Sequence, residues 1–163
     1  MDNIFSHHLN IDFMFRILVS ILCGTIVGLE RQLNGKPIGI RTSVLIILGT
    51  MMFIYLGNEI SEEKDATRVL GQVVTGIGFL GAGLIINQQG AVIGVTSAAV
   101  VWVLASIGST IGFGQYTQAL IISVICVSVL TGVHTIEKII VRLAQGIYKG
   151  SDNHSSAHNK TEN

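Results

Sequence analysis

The hydropathy pattern is dominated by one stretch, Val69 to Ile136, in which 68 consecutive residues include no Asp, Glu, Lys or Arg. A helix crossing a hydrocarbon layer of ~30 Å needs about 20 residues at ~1.5 Å each. The stretch therefore has room for three passages, and polar punctuation divides it accordingly. Asn87-Gln88-Gln89-Gly90 interrupts it once and Gly112-Phe113-Gly114-Gln115 again, which predicts helices over 69–86, 91–111 and 116–136. Upstream, Phe13 to Leu29 is apolar except for Arg16, and the polar connector Glu30 to Pro37 separates it from a second apolar run that ends near Leu56. Gly35 suits a helix stop and Pro37 a helix start. Helices over 13–30 and 38–57 follow, with Arg16 expected to reach for the membrane interface.

The remaining segments are polar. Residues 58–67 form a loop carrying Glu59, Glu62, Glu63 and Asp65, and 137–149 alternates charged and apolar residues as an interfacial helix does. The Ser/Asn/His-rich stretch 151–163 reads as a disordered tail, His154 and His158 included. The expected fold is thus an all-α polytopic membrane protein of about five helices, with one membrane domain over 1–150 and a polar tail after it.

Composition agrees: 49% of the 163 residues are hydrophobic and 12% charged, which leaves no room for a second soluble domain. No basic stripe with interleaved aromatics is present, so nucleic-acid binding is set aside. Cys23 and Cys126 lie within apolar segments and read as small hydrophobes, not as a disulfide. No cleavable signal peptide is apparent at the start. With the N-terminus outside, the inner segments hold seven of the ten basic residues (Arg31, Lys36, Arg41, Lys138, Arg142, Lys149, Lys160), and the outer ones hold Arg16, Lys64 and Arg68. The basic excess predicts N-out, C-in.

A shift of 55 residues lays Gly28-Leu29 on Gly83-Leu84, Gly35 on Gly90, and Ile38 to Thr42 on Ile93 to Ser97. The two halves would be same-orientation helix pairs. The repeat brings Glu30, Arg31, Gln32 and Arg41 to the same end as Asn87, Gln88, Thr96 and Ser97.

Gly76-Ile77-Gly78-Phe79-Leu80-Gly81 spells a dinucleotide fingerprint, but no strand precedes it and no acid follows before Glu137. Gly71, Thr75, Gly78 and Ala82 instead share one small-residue helix face, as do Ser20, Gly24 and Gly28. Both are expected to admit a neighbouring backbone. Trp102, far from a helix end, is expected to fill a packing gap.

The candidate chemistry lies at the first connector. Glu30 is the only acid between Asp12 and Glu59, and ionisable groups at a membrane edge are functional candidates because holding them near lipid is costly. Glu30, Arg31, Gln32 and Arg41 are expected to build a charged site on the inner side, with Glu30 and Arg41 as an ion pair across the tight connector. Gln72 and Asn87 are further polar candidates. There is no catalytic set of Ser, His and acid, no Cys/His pair, no H-E-x-x-H and no phosphate-loop lysine, and the i, i+4 pair His154 and His158 falls in the polar tail. The sequence therefore implies no catalysis and no cofactor, and no acid lies mid-membrane to line a magnesium pore.

Three motifs, covering about residues 24–114, resemble the signatures of the MgtC/SapB family of bacterial inner-membrane proteins. The first is Gly28-Leu29-Glu30-Arg31-Gln32 with Pro37-Ile38-Gly39-Ile40-Arg41-Thr42. The second runs from Arg68 to Gly83 and includes Gly71, Gln72, Gly76, Gly78, Gly81 and Gly83. The third is Gly94-Val95-Thr96-Ser97-Ala98-Ala99 with Trp102 and Ile107-Gly108. Ser43 stands where the family often has His, and Ser97 where it often has Thr. Some members carry a soluble domain after the last helix, where this sequence has a short tail. The resemblance implies a non-catalytic plasma-membrane protein linked to growth in low magnesium and, in pathogens, to survival inside macrophages. It implies as partners the lipid bilayer and another membrane complex, the F-type ATP synthase, with a homo-oligomer as a further expectation. The alternative class is a small-solute or ion transporter.

Overall fold

A computed structural model describes residues 2–60 and 66–133, with side chains over 11–59 and 67–133. The chain forms two units, Met1–Val127 and Ser128–Asn163. The interfacial segment expected over 137–149, the tail over 151–163 and residues 61–65 of the acidic loop lie outside the described residues.

Helices α1 (Asp2–Leu33), α2 (Ile40–Ile60), α3 (Ala66–Leu84) and α4 (Val95–Gly112) follow in order. A fifth, α5, covers Tyr116–Val133. Four described segments are long and apolar enough to cross a membrane: Ile11–Leu33, Ile40–Glu59, Val95–Gly112 and Tyr116–Val133. The 19-residue α3 is not among them.

Between α3 and α4 the structure corrects the expected helix bounds. Instead of helix to 86 and helix again from 91, strands β1 (Ile86–Gln88) and β2 (Ala91–Ile93) form an antiparallel hairpin. Ile86 pairs with Ile93, Asn87 with Val92 and Gln88 with Ala91. The two loop residues, Gln89 and Gly90, both have positive φ (52° and 87°), the conformation that closes a two-residue hairpin in register with strand twist. Helix α4 then starts one turn later than expected, from Gly94 at φ 90°. The two links of the proposed repeat therefore differ: a turn after α1, a hairpin after α3.

The core is built by α1, α2 and α4. Cys23, Val27, Ile47, Ile54, Leu104, Ile107 and Ile111 are all fully buried. Glycines set the spacing. A Cβ on Gly24 would lie 2.7 Å from the Val44 Cα, and one on Gly28 2.5 Å from the Ile40 Cα, so α1 and α2 touch backbone to backbone. Gly108 does the same for α4 against the Ile47 backbone of α2, and Gly112 packs on the Ile54 side chain and the Met51 carbonyl; the sequence suggested Gly108 only within a motif and Gly112 only as a helix break. Such contact maximises dispersion where no water drives helices together.

The α3 glycines behave otherwise, and the expectation that they pack within the bundle is corrected. A Cβ on Gly71, Gly76, Gly78 or Gly83 meets nothing within 4 Å among the described residues, and Gly81 makes only ordinary contact with Ala98. Helix α3 turns Ile77 inward and leaves its small face open.

Candidate functional site

The ends of α1 and α4 meet at a buried polar corner. Arg31, in the last turn of α1, is 2% exposed and Ser97, in the first turn of α4, 3%. Arg31 Nη2 donates to Ser97 Oγ at 2.6 Å, joining positions 66 residues apart. The α1 spacing explains the placement, since Ser20, Cys23, Gly24, Val27, Gly28 and Arg31 recur every three or four residues and all face inward. Arg31 Nε is buried and finds no acceptor. Helix α4 opens on Gly94 without a side-chain cap, so the hydroxyl best placed to serve its first turn accepts from a guanidinium instead.

Glu30 does not pair with Arg41. Its Oε1 accepts from Asn34 Nδ2 at 2.7 Å, its Oε2 is buried without a partner, and Arg41 and Thr42 are exposed. The physical reason is geometric. Gly35, at φ 62°, closes α1 with its N–H on the Gln32 carbonyl, and Gln32 Oε1 accepts from the Ile40 N–H at 3.4 Å. The connector is thus tightened by backbone groups and Gln32, and Arg41 starts α2 on its outer side. Ser43, one turn into contact with α1, is fully buried and its hydroxyl is unpartnered.

Of the other candidates, Thr96 is exposed beside Ser97, and Asn87 is exposed on β1. Arg68 and Gln72 lie in the first two turns of α3, at the opposite end of the bundle from Arg31. Trp102 is not a gap filler. It is 48% exposed and stands on the wall of an apolar groove of about 330 Å³ between α3 and α4, with Val73, Ile77 and Phe113.

A second polar cluster was not anticipated. The Arg16 side chain is 14% exposed, and its Nη1 donates to the carbonyls of Ile111 and Gly112 at 2.9 and 2.7 Å. It thereby caps the C-terminus of α4, where a cation is favoured. Arg16 Nε donates to Asp12 at 2.7 Å, Tyr116 Oη donates to the other oxygen of that carboxylate at 2.6 Å, and the guanidinium lies 5.2 Å from the Tyr55 ring. One arginine so ties α1, α2, α4 and α5 together. The i, i+4 pair of Asp12 and Arg16 was legible, but its α4 partner was not. Arg16→Gln is expected to lower stability by roughly 2–4 kcal/mol, the range for losing charged hydrogen bonds to buried carbonyls. Thermal unfolding in detergent measures it, and an unchanged midpoint would refute the cap.

The geometry can be set beside known proteins. Residues 17–139 match the MgtC family. The chain is 41% identical over 132 residues to YhiD of Escherichia coli K12, named there as a candidate magnesium transporter, covering 76% of this chain and 61% of that protein. It is 33% identical over 141 residues to the protein SrpB of Synechococcus elongatus, covering 77% and 76%. To the protein MgtC of Salmonella typhimurium it is 36% identical over 120 residues, covering 72% and 52%. The chain thus spans about three-fifths of YhiD and about half of MgtC. No solved structure matches.

Proposed function

The chain belongs to the MgtC family, and from that premise we propose that it is a non-catalytic protein of the bacterial plasma membrane that adapts cells to low magnesium by binding another membrane complex. In a pathogen the same role would serve intracellular survival. The observation that carries the binding reading is the open face of α3. Four of its glycines meet nothing within 4 Å among the described residues, and Phe79 on the same helix is 82% exposed. A glycine-rich helix face in lipid is a surface on which another helix can seat closely. The family resemblance nominates the membrane sector of the F-type ATP synthase, and a second copy of the chain is the other candidate.

The name of YhiD favours a second reading, transport of magnesium or another small solute. Proteoliposomes containing this protein alone discriminate the two. The binding reading expects no magnesium or solute flux above empty vesicles, together with rescue of low-magnesium growth and co-purification with a membrane complex. Flux by the isolated protein would replace it with the transport reading.

A further inference from the structure

The Arg31 corner holds a buried guanidinium whose donors are largely unfilled among the described residues. Its guanidinium carries five N–H donors and stays charged at any physiological pH. One donor goes to a neutral hydroxyl, Ser97 Oγ, and Nε goes to nothing. The neighbouring carboxylate, Glu30, accepts from Asn34 through Oε1, while its Oε2 is buried without a partner and makes no ion pair with Arg31. A buried donor without an acceptor costs about 1–3 kcal/mol, more when the group is charged. The feature is therefore one that a ligand would relieve.

Three observations fix the ligand's chemistry. The guanidinium bonds Ser97 in the first turn of α4, an 18-residue helix with no side-chain cap, and the N–H groups of Val95, Thr96 and Ser97 find no backbone acceptor among the described residues. An arginine bonded to the first turn of an uncapped helix favours an anion with several oxygens. The surroundings add to this: the connector at this end also carries exposed Lys36 and Arg41, against the single acid Glu30. Depth then chooses among anions. Arg31 lies two residues before the end of the 23-residue span Ile11–Leu33. The polar connector follows directly, with Asn34, Lys36 and Pro37 exposed, so the last turn of α1 sits at headgroup level. The abundant oxyanion at that depth is phosphate.

We propose that the corner formed by Arg31, Ser97 and the first turn of α4 binds a phosphate oxyanion, supplied by a phospholipid headgroup or by free phosphate. Arg31 contributes its unfilled donors, α4 its uncapped N–H groups, and Ser97 holds the guanidinium in place. A small opening of the corner admits the oxygens, since Nε is covered in the unliganded chain. The site stands on this geometry and does not depend on which complex the protein binds, so its test reads binding and not growth.

The test uses the full chain purified in an uncharged detergent. Native mass spectrometry follows retention of phosphatidylglycerol added in mixed micelles, and thermal unfolding follows inorganic phosphate against chloride at matched ionic strength. Arg31→Gln should weaken binding of the effective probe by about tenfold or more, as expected for a lost charge-assisted contact. Lipid retention without a phosphate effect assigns the headgroup, and the reverse assigns the free ion. Hydrogen exchange at the Thr96 and Ser97 amides of the unaltered protein supplies a readout that does not need the variant to fold, and it should slow when the effective probe is added. The proposal is overturned if neither probe binds, if Arg31→Gln binds equally well, or if exchange at the first turn of α4 is unmoved. Those outcomes include the case in which a partner protein's carboxylate supplies the counter-charge.

Discussion

Gly94→Ala is expected to be the most damaging single-methyl change in the hairpin and α4. Two effects coincide there. Gly94 has φ 90°, a backbone conformation that costs an L-residue about 1–3 kcal/mol. In addition, a Cβ at this position would fall inside the van der Waals surface of the Leu84 carbonyl oxygen. That oxygen belongs to backbone at the end of α3 and cannot swing aside as a side chain would. Either the hairpin leaves α3 or α4 loses its first turn, and in both cases Ser97 moves away from Arg31. A loss of roughly 3 kcal/mol or more is expected, in the range reserved for backbone strain combined with overpacking. Gly90→Asn is the control. Gly90 has a similar φ of 87° but open space around it, and Asn tolerates that conformation. Membrane accumulation and unfolding temperature should fall sharply for Gly94→Ala and little for Gly90→Asn. Equal effects would mean that contact with Leu84 is not what fixes the hairpin.

The second large effect separates two glycine faces that look alike in sequence. Gly28→Ala places a methyl 2.5 Å from the Ile40 Cα and 2.9 Å from its N. Both are backbone atoms, so α1 and α2 must part, at a cost of roughly 1–3 kcal/mol or more. The separation occurs one turn before Arg31 and disturbs the buried corner as well. Gly78→Ala, by contrast, adds a methyl to open space, and the gain in helix propensity favours it by up to ~1 kcal/mol. The isolated protein should thus be weakened by the first change and unharmed by the second. If α3 is the docking face, Gly78→Leu should leave the purified protein folded while reducing low-magnesium rescue and recovery of the bound complex. A purified Gly78→Leu protein as unstable as Gly28→Ala would show instead that the α3 face is packed within the fold.

These contrasts mark the boundary between what a pattern carries and what geometry adds. The hairpin is an instructive miss. Asn87 to Gly90 was legible as a break, because polar residues and glycine interrupt an apolar run, but short flanking segments of Ile, Val and Ala fit a helix end as well as a strand. Only the positive φ of two successive residues, Gln89 and Gly90, decides for a hairpin. The ion pair of Glu30 and Arg41 failed for a related reason. Nearness in sequence says that two side chains can approach, whereas the direction in which α2 leaves the Gly35 turn decides whether they do.

The sequence by itself determined the membrane character, the polar connector, the family and the small-residue face of α1, because each depends on composition or on spacing along one helix. Hydrophobic runs report their solvent directly, and helical periodicity reports which residues share a face. Tertiary structure alone decided which glycine faces are occupied, which arginine is buried and what it meets. Gly28 and Gly78 have the same local signature, yet a Cβ on one would strike Ile40 and a Cβ on the other would meet nothing within 4 Å among the described residues. Arg31 and Arg41 flank one connector, yet Arg31 turns inward to Ser97 and Arg41 outward. Arg16 and the carbonyls of Ile111 and Gly112 are 95 and 96 residues apart, and no local pattern connects them. Contacts between helices depend on how whole elements cross and which face each presents, and a one-dimensional pattern fixes the faces of a helix without fixing its neighbours.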